Sequence, residues 1–585
     1  MTNRTGSRPV RMLIALIMTI AMVTTALVSP AAAGPNQPDP PGQPDPPGQL
    51  IDLQVLGFND YHGHVTDDTS GFVSFPDRWG GGEYLSTKLN ELREGNKYSL
   101  TVAAGDLIGG SPAFSGLFHD EPSVESLNVM ELDVSGVGNH EFDEGVTELL
   151  RMQDGGCHPE DGCYFPDDPY SGADFQWLAA NVVDEAGETP LPPYWIERVN
   201  NVKVGFIGMT LEATDTLVAA AGIVGYDFLD EAETANALVP ELQAQGVEAI
   251  IVLLHEGGSQ TPPPGEVDAC EGISGPIVTI NNELDPAIDA MITGHTHLPY
   301  NCVLPDSDGN PRIVTSAYSF GRVVTEVNLV LDKRTKDVRR DLSSATNHSV
   351  LQNEITPDPA ITTVIEKWQP LFDEIGLEVV GSVSGDINRG GTPPGTDRGV
   401  ESAAGNLVAD AQLWATSVKA PNGAEIAFMN PGGVRSDLAE GDITFGDAFT
   451  FQPFNNILYT VPMTGAQIMG VLEDQCQPAG SSRPFLHLGV SDGFTYDLAT
   501  TIVDGDCTSV TISNMELGGE AIDSGGIYEV TMNGFLADGG DNFDTFATID
   551  PFLRIDGGID IDALVGYLGA FSPVAPPSTD RANEL

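Results

Sequence analysis

Residues 51–64 read IDLQVLGFNDYHGH, an alternating apolar run that stops at Asn59 and gives way to a turn carrying Asp60 and His62. Period-two alternation is the signature of a strand, so functional side chains are expected at its C-terminal end. The same grammar recurs downstream: YSLTVAAG before Asp106, NVKVGFIGMT from Asn201, AIIVLLHE around His255 and AMITGHTH from Ala290. Helix-like stretches separate these runs. Strands alternating with helices predict an α/β layered domain with its site at the strand ends.

The strand-end residues form a metal-ligand inventory. On an extended chain residues i and i+2 point the same way, which would let Asp60 and His62 reach one cation. Asp106 follows a glycine at a second strand end, and one carboxylate can bridge two ions about 3.5–4 Å apart. Gly138-Asn139-His140-Glu141-Phe142-Asp143 offers a neutral oxygen ligand and a histidine with an acid three positions on to orient its ring. His255 and the His295-Thr296-His297 pair end further apolar runs, the spacing of two again aligning both rings. Any one cluster has an ordinary alternative, such as a helix cap by Asn139 or a surface histidine. Jointly they place His62, His140, His255, His295 and His297, out of ten histidines in the chain, at strand ends. Mixed oxygen and imidazole ligands suit zinc, manganese or cobalt.

Charge limits what such a site can be for. Asp and Glu number 85 against 25 Lys and Arg, a formal net charge of -60. That field repels nucleic-acid polymers and anionic membranes, and a phosphate substrate too, unless metals or local arginines reverse it. The N-terminus carries Arg4, Arg8 and Arg11, then an apolar run from Met12 to Val28, then Ala31-Ala32-Ala33. This order predicts a signal peptide over 1–33 cleaved near Ala33 and a secreted or surface-associated protein; the alternative is a retained membrane anchor. A proline-rich spacer, GPNQPDPPGQPDPPGQ, starts at Gly34 and is placed over 34–50. Six cysteines fall into neighbouring couples, Cys157 with Cys163, Cys270 with Cys302, and Cys476 with Cys507, which suits disulfides in an oxidising compartment.

The remaining chain divides into a first domain over 51–345, a connecting segment over 346–378, a second domain over 379–571 and a disordered tail over 572–585. The connecting segment holds PAITTVIEKWQPLFDEI from Pro359, expected as a kinked or two-part helix because of Pro370. In the second domain, Arg398 and Arg435 lie beside glycine-rich loops, the latter in Asn430-Pro-Gly-Gly-Val-Arg435, where guanidinium could grip phosphate or simply pair with surface acids. Phe454 and Phe535 sit in polar, glycine-rich loops and could sandwich a planar base.

NDYHG, AAGD, GNHEFD, HEGG and TGHTH together resemble the secreted bacterial 5'-nucleotidase and UDP-sugar hydrolase family, whose first domain is a calcineurin-like metallophosphoesterase. The resemblance extends over Ile51 to Phe571. It implies a four-layer αββα N-terminal domain and a mixed α/β C-terminal substrate-binding domain joined by a helix that acts as a hinge. It implies that Asp60, His62 and His297 bind one metal, that Asn139, His255 and His295 bind another, and that Asp106 bridges them. His140, steadied by Asp143, would act on the phosphoryl group or leaving oxygen. Phe454 and Phe535 would stack the base, Asp541 would hold the ribose, Arg398, Arg435 and Asn430 would contact phosphate or ribose, and Asn456 would touch the base. The activity implied is metal-dependent hydrolysis of nucleoside 5'-phosphates; UDP-sugar hydrolysis, 2',3'-cyclic phosphodiester cleavage and a non-catalytic surface-binding role are the alternatives.

Overall fold

A computed structural model describes residues 49–66, 78–261, 266–418, 423–503 and 505–585. The expected leader, and the spacer as far as residue 48, lie outside them. Leu50 already belongs to the first strand, Leu50–Phe58, so the spacer ends sooner than residue 50.

That strand is the hub of the first six-stranded sheet. It runs parallel to Ser99–Ala104, which continues parallel to Val134–Gly136 and then Gln176–Leu178, while Val323–Asp332 and Ser344–Ser349 close the other side antiparallel. A second six-stranded sheet sets Val202–Thr210, Ala249–His255, Ile288–Thr293 and Pro311–Ser316 parallel, with antiparallel edges Tyr194–Val199 and Tyr300–Pro305. Alternation divides each strand between two cores. Leu53 and Val55 join Phe206, Ile251 and Ile292 in a core made by both sheets. Leu56 and Phe58 face the other way, into a core with Leu85, Leu127, Leu149 and Trp368 from helices. Helices Glu231–Ala244 and Pro276–Glu283 cover the far face of the second sheet through Leu242 and Ile277. The result is the αββα layering expected of the first half.

Helix Pro359–Ile375 runs through Pro370 as one element rather than as two parts. Trp368 is fully buried in the first-half core and its indole N–H donates to Glu125 at 3.0 Å, so tertiary packing holds a helix that the proline alone would interrupt. The second half has a mixed five-stranded sheet with Ile527–Asn533 at its centre, flanked by helices Ala403–Thr416, Gly465–Glu473 and Asp560–Phe571, and a separate four-stranded sheet. Disulfides join Cys157 to Cys163, Cys270 to Cys302 and Cys476 to Cys507, the three couples that proximity favoured.

The expectation of a disordered tail fails. Ala582–Glu584 is a parallel edge strand on Phe494–Val503, and Val574 bridges to Val383. Arg581 is the anchor: its guanidinium reaches Asp410 at 2.7 and 2.9 Å and the Val490 carbonyl at 2.6 Å while almost wholly buried. Composition hid this, because a single buried ion pair does not alter a proline-rich sequence signature. Replacing Arg581 with Ala strands a buried carboxylate, which costs about 3 kcal/mol. Thermal or urea unfolding of Arg581→Ala is therefore expected to show a clear loss of stability.

Candidate metal centre and substrate pocket

The parallel strands of both sheets deliver their C-terminal ends to one place. Asp60, His62, Asp106, His295 and His297 lie just past those ends, and all five have left-handed backbones, with φ of 50, 46, 52, 68 and 53°. The spacing-of-two argument thus named residues for the wrong reason: tight turns, not an extended chain, turn Asp60 and His62 inward. Five left-handed non-glycine residues cost roughly 1–3 kcal/mol each, and such strain gathers where side chains must be aimed. Glycine makes the convergence possible. A Cβ on Gly138 would lie 2.2 Å from Asp106 Oδ1, and one on Gly105 would lie 2.7 Å from His255 Nδ1.

Two ligand groups result, and Asp106 belongs to both. In the first, Asp60, His62, Asp106 and His297 each bring a ligand atom within 4.8 Å of the others; in the second, Asp106, His255 and His295 do the same. His297 and His295 therefore fall into different groups instead of gripping one ion together. Within the first, His297 Nε2 is 3.1 Å from Asp60 Oδ1 and 3.2 Å from His62 Nε2, and His62 Nε2 is 3.5 Å from Asp106 Oδ2. In the second, the fully buried His255 Nε2 is 2.9 Å from Asp106 Oδ2 but off hydrogen-bond geometry, facing the carboxylate without a hydrogen bond to it. Asn139 Oδ1 lies 3.1 Å from His295 Nδ1.

This donor set fits divalent cations. His62 Nδ1 and His255 Nδ1 each lie 2.7 Å from a backbone carbonyl, Gly109 and Ala104 respectively, which orients each ring with its Nε2 toward the centre. Burial pushes His62 and His295 well below the usual imidazole range, keeping them in the neutral, ligating form. His255 goes the other way: burial would lower it, but the Asp106 carboxylate beside it raises it to about 10. Two buried carboxylates, Asp60 and Asp106, set among these imidazoles offer the mixed oxygen and nitrogen donors that a borderline divalent cation takes.

Glu141 escaped the sequence reading. Its buried carboxylate accepts from the backbone N–H groups of Asp106 at 2.9 Å, Leu107 at 2.8 Å and Gly138 at 2.5 Å, clamping two strand ends together. Only its place in GNHEFD could have hinted at this. His140 touches the centre without belonging to either ligand group: its N–H donates to Asp106 Oδ1 at 2.9 Å, and its Nδ1 pairs with Asp143 Oδ2 at 2.8 Å. Its ring lies 5.9 Å from that of Phe454 of the second half, nearly parallel.

A pocket opens over the centre, lined by Asp106, Asn139, His140, Asp143, His295 and His297 from the first half and by Arg398, Asn430, Arg435, Phe454, Asn456, Phe535 and Asp541 from the second. All of the substrate residues expected from sequence thus share one cavity with part of the metal centre. Asn430 Nδ2 donates to Asp541 Oδ2 at 3.0 Å, and Gly540 exists because any Cβ there would strike the Phe535 ring. Arg483 also lines the pocket and was not foreseen; its only sequence signal is a rare arginine in an acidic chain. The guanidiniums of Arg398, Arg435 and Arg483 have no ion pair among the described residues. Burial, reinforced by Arg483 and Arg435, pushes Arg398 well below its ordinary range, a strain that a bound anion would relieve.

Paired β-sheets with histidines and carboxylates at their strand ends define a metallophosphoesterase, and the model of the calcineurin-like phosphoesterases matches residues 53–299. The model of the 5'-nucleotidase C-terminal domain matches residues 379–548. The chain is 34% identical over 542 residues to the cell wall protein Lmo0130 of Listeria monocytogenes, an alignment covering 88% of this chain and 67% of that protein. It is 31% identical over 536 residues to the endonuclease YhcR of Bacillus subtilis, covering 90% of this chain but 40% of YhcR. The fold matches the 5'-nucleotidase precursor of Thermus thermophilus with a TM-score of 0.74 at 22% identity, over 92% of this chain and 99% of that one. The chain belongs to the 5'-nucleotidase family of two-domain metallophosphoesterases.

Glu141→Gln replaces one of two acceptors with an NH2 group facing a buried N–H. Because it disturbs the backbone that aims Asp106, it is expected to weaken metal binding about 10–100-fold, as losses of supporting hydrogen bonds do. Titration of the chelator-stripped variant with manganese or zinc measures this.

Proposed function

We propose that this protein is a secreted 5'-nucleotidase that hydrolyses nucleoside 5'-phosphates to nucleoside and phosphate. The observation that carries the reading is one pocket in which a histidine–carboxylate centre meets Arg398, Arg435 and Arg483, which have no ion pair among the described residues, and the rings of Phe454 and Phe535. Asp60, His62, His297 and Asp106 would hold one divalent cation; Asn139, His255, His295 and Asp106 would hold the other. Bound there, two such ions supply Lewis acidity at the phosphate and ionise water near neutral pH.

The chain's own residues do the rest. Arg398, Arg435 and Asn430 hold the phosphate or ribose, and together with the cations they reverse the repulsion expected from a chain of net charge -60. Phe454 and Phe535 offer apolar faces for the base, while Asp541, steadied by Asn430, presents an acceptor to ribose hydroxyls. His140, held by Asp143, is placed to stabilise the phosphoryl oxygens or to protonate the leaving 5'-oxygen. Export past an N-terminal leader is supported by three disulfides and by the name of the Listeria relative, a cell wall protein. No helix among the described residues is long and apolar enough to cross a membrane.

Three measurements test the proposal. Hydrolysis, followed as phosphate from AMP and an aryl phosphate, as UMP with glucose 1-phosphate from UDP-glucose, and as the nucleoside monophosphate from a 2',3'-cyclic nucleotide, is expected to be fastest for AMP and abolished by chelator; a preference for UDP-glucose or the cyclic nucleotide would reassign the substrate. His140→Ala is expected to retain both metals and lose about 10²–10⁴ in turnover, and Phe454→Ala with Phe535→Ala to raise KM for AMP far more than for the aryl phosphate.

A further inference from the structure

The Cys157–Cys163 disulfide closes a short loop, CHPEDGC, that takes no part in the pocket. Inside it, His158 and Asp161 face His119, the residue before Asp120 and helix Glu121–Val129, and Glu144, the residue after Asp143. His119 Nδ1 lies 2.7 Å from Glu144 Oε2 and its Nε2 lies 2.8 Å from Asp161 Oδ2. The His158 ring stacks on it, centroids 3.7 Å apart and planes 16° apart. His158 Nδ1 accepts the Asp161 N–H at 3.2 Å, which leaves its Nε2 with no hydrogen-bond partner among the described residues. One ligand atom each from His119, Glu144, Glu148 and His158 lies within 4.8 Å of the others.

An ion-pair network explains only part of this. Four carboxylates, Glu121, Glu144, Glu148 and Asp161, surround two cationic groups, Arg151 and a protonated His119; Arg151 is consumed by Glu121 at 2.7 Å and Glu148 at 2.6 Å. The His158 ring stacked on His119 brings only a cation–π contact and a long approach to Asp161, 3.8 Å, and leaves its Nε2 unused by the network. Both rings are mostly buried, with side-chain exposures of 18% and 13%, so neither is a casual surface residue. Two imidazoles with carboxylate oxygens form the ligand set of a borderline divalent cation of the zinc type, whose charge would balance the surplus acids.

We propose that His119, His158 and Glu144, with a further carboxylate from Glu148, form a structural zinc-type site distinct from the metal centre. Coordination would turn the nitrogen edges of the two stacked rings toward a common point, the ion taking the place of the proton on His119. The ligands come from separate segments, so one ion ties the disulfide loop to the segment before helix Glu121–Val129 and to the turn carrying Asp143, the partner of His140. The site would thereby steady the acid that orients His140 without touching substrate.

The test counts ions on the full chain. Chelator-stripped protein is titrated with zinc against a competing chromophore, alongside His119→Ala/His158→Ala, Glu144→Gln and the metal-centre variant Asp106→Ala. The expected result is one equivalent more in the wild type than in the double variant, that equivalent retained in Asp106→Ala, and its affinity at least tenfold weaker in Glu144→Gln. Glu144→Gln conserves shape and decides the matter if the double variant fails to fold. Equal stoichiometry and affinity in the wild type and Glu144→Gln would overturn the proposal.

Discussion

Everything in the first half depends on burying Asp106. Its carboxylate is almost fully removed from water, lies within 3.5 Å of His62 and 2.9 Å of His255, and receives the His140 N–H. An isolated carboxylate in that position is prohibitively costly, so its surroundings are arranged around the charge. Two sheets must bring their strand ends together, glycines at 105 and 138 must remove side-chain bulk, and Glu141 must hold the two loops in place. Despite burial, the neighbouring imidazoles hold Asp106 well below the usual carboxylate range, and it is the one carboxylate common to both candidate ligand groups.

The second half solves a different electrostatic problem. In a chain this acidic, Arg151, Arg340, Arg389 and Arg581 are each paired with carboxylates. Arg398, Arg435 and Arg483 instead turn into one cavity, where their mutual repulsion makes an anion welcome. The pocket is completed from both halves, with Phe454 reaching over to the His140 ring. The histidine–carboxylate cluster and the arginine- and phenylalanine-bearing wall are therefore built by different halves of the chain and meet at one pocket.

Much of this was legible in the sequence because strand grammar is local. IDLQVLGF and AIIVLLH announce strands, and polar residues at their ends announce a site, without knowledge of the tertiary structure. What was not legible depends on distant partners. The left-handed backbones of Asp60 and His297 are imposed by convergence of the sheets, and the role of Glu141 is visible only once residues 106, 107 and 138 are adjacent. Arg483 ends an ordinary turn sequence, PAGSSR, that does not by itself point to a site, and the C-terminal strand is held by a partner, Asp410, that lies 171 residues away. Pro370 looked like a break because its cost is local, whereas the burial of Trp368 that outweighs it is not.

The most direct test of the account is the anomalous diffraction of crystals grown with manganese. Two peaks about 3.5–4 Å apart, one on either side of the Asp106 carboxylate, are expected. The first should be bounded by Asp60, His62 and His297, the second by Asn139, His255 and His295. A single peak there, or none at saturating metal, would contradict a shared binuclear centre and with it the chemistry assigned to this fold.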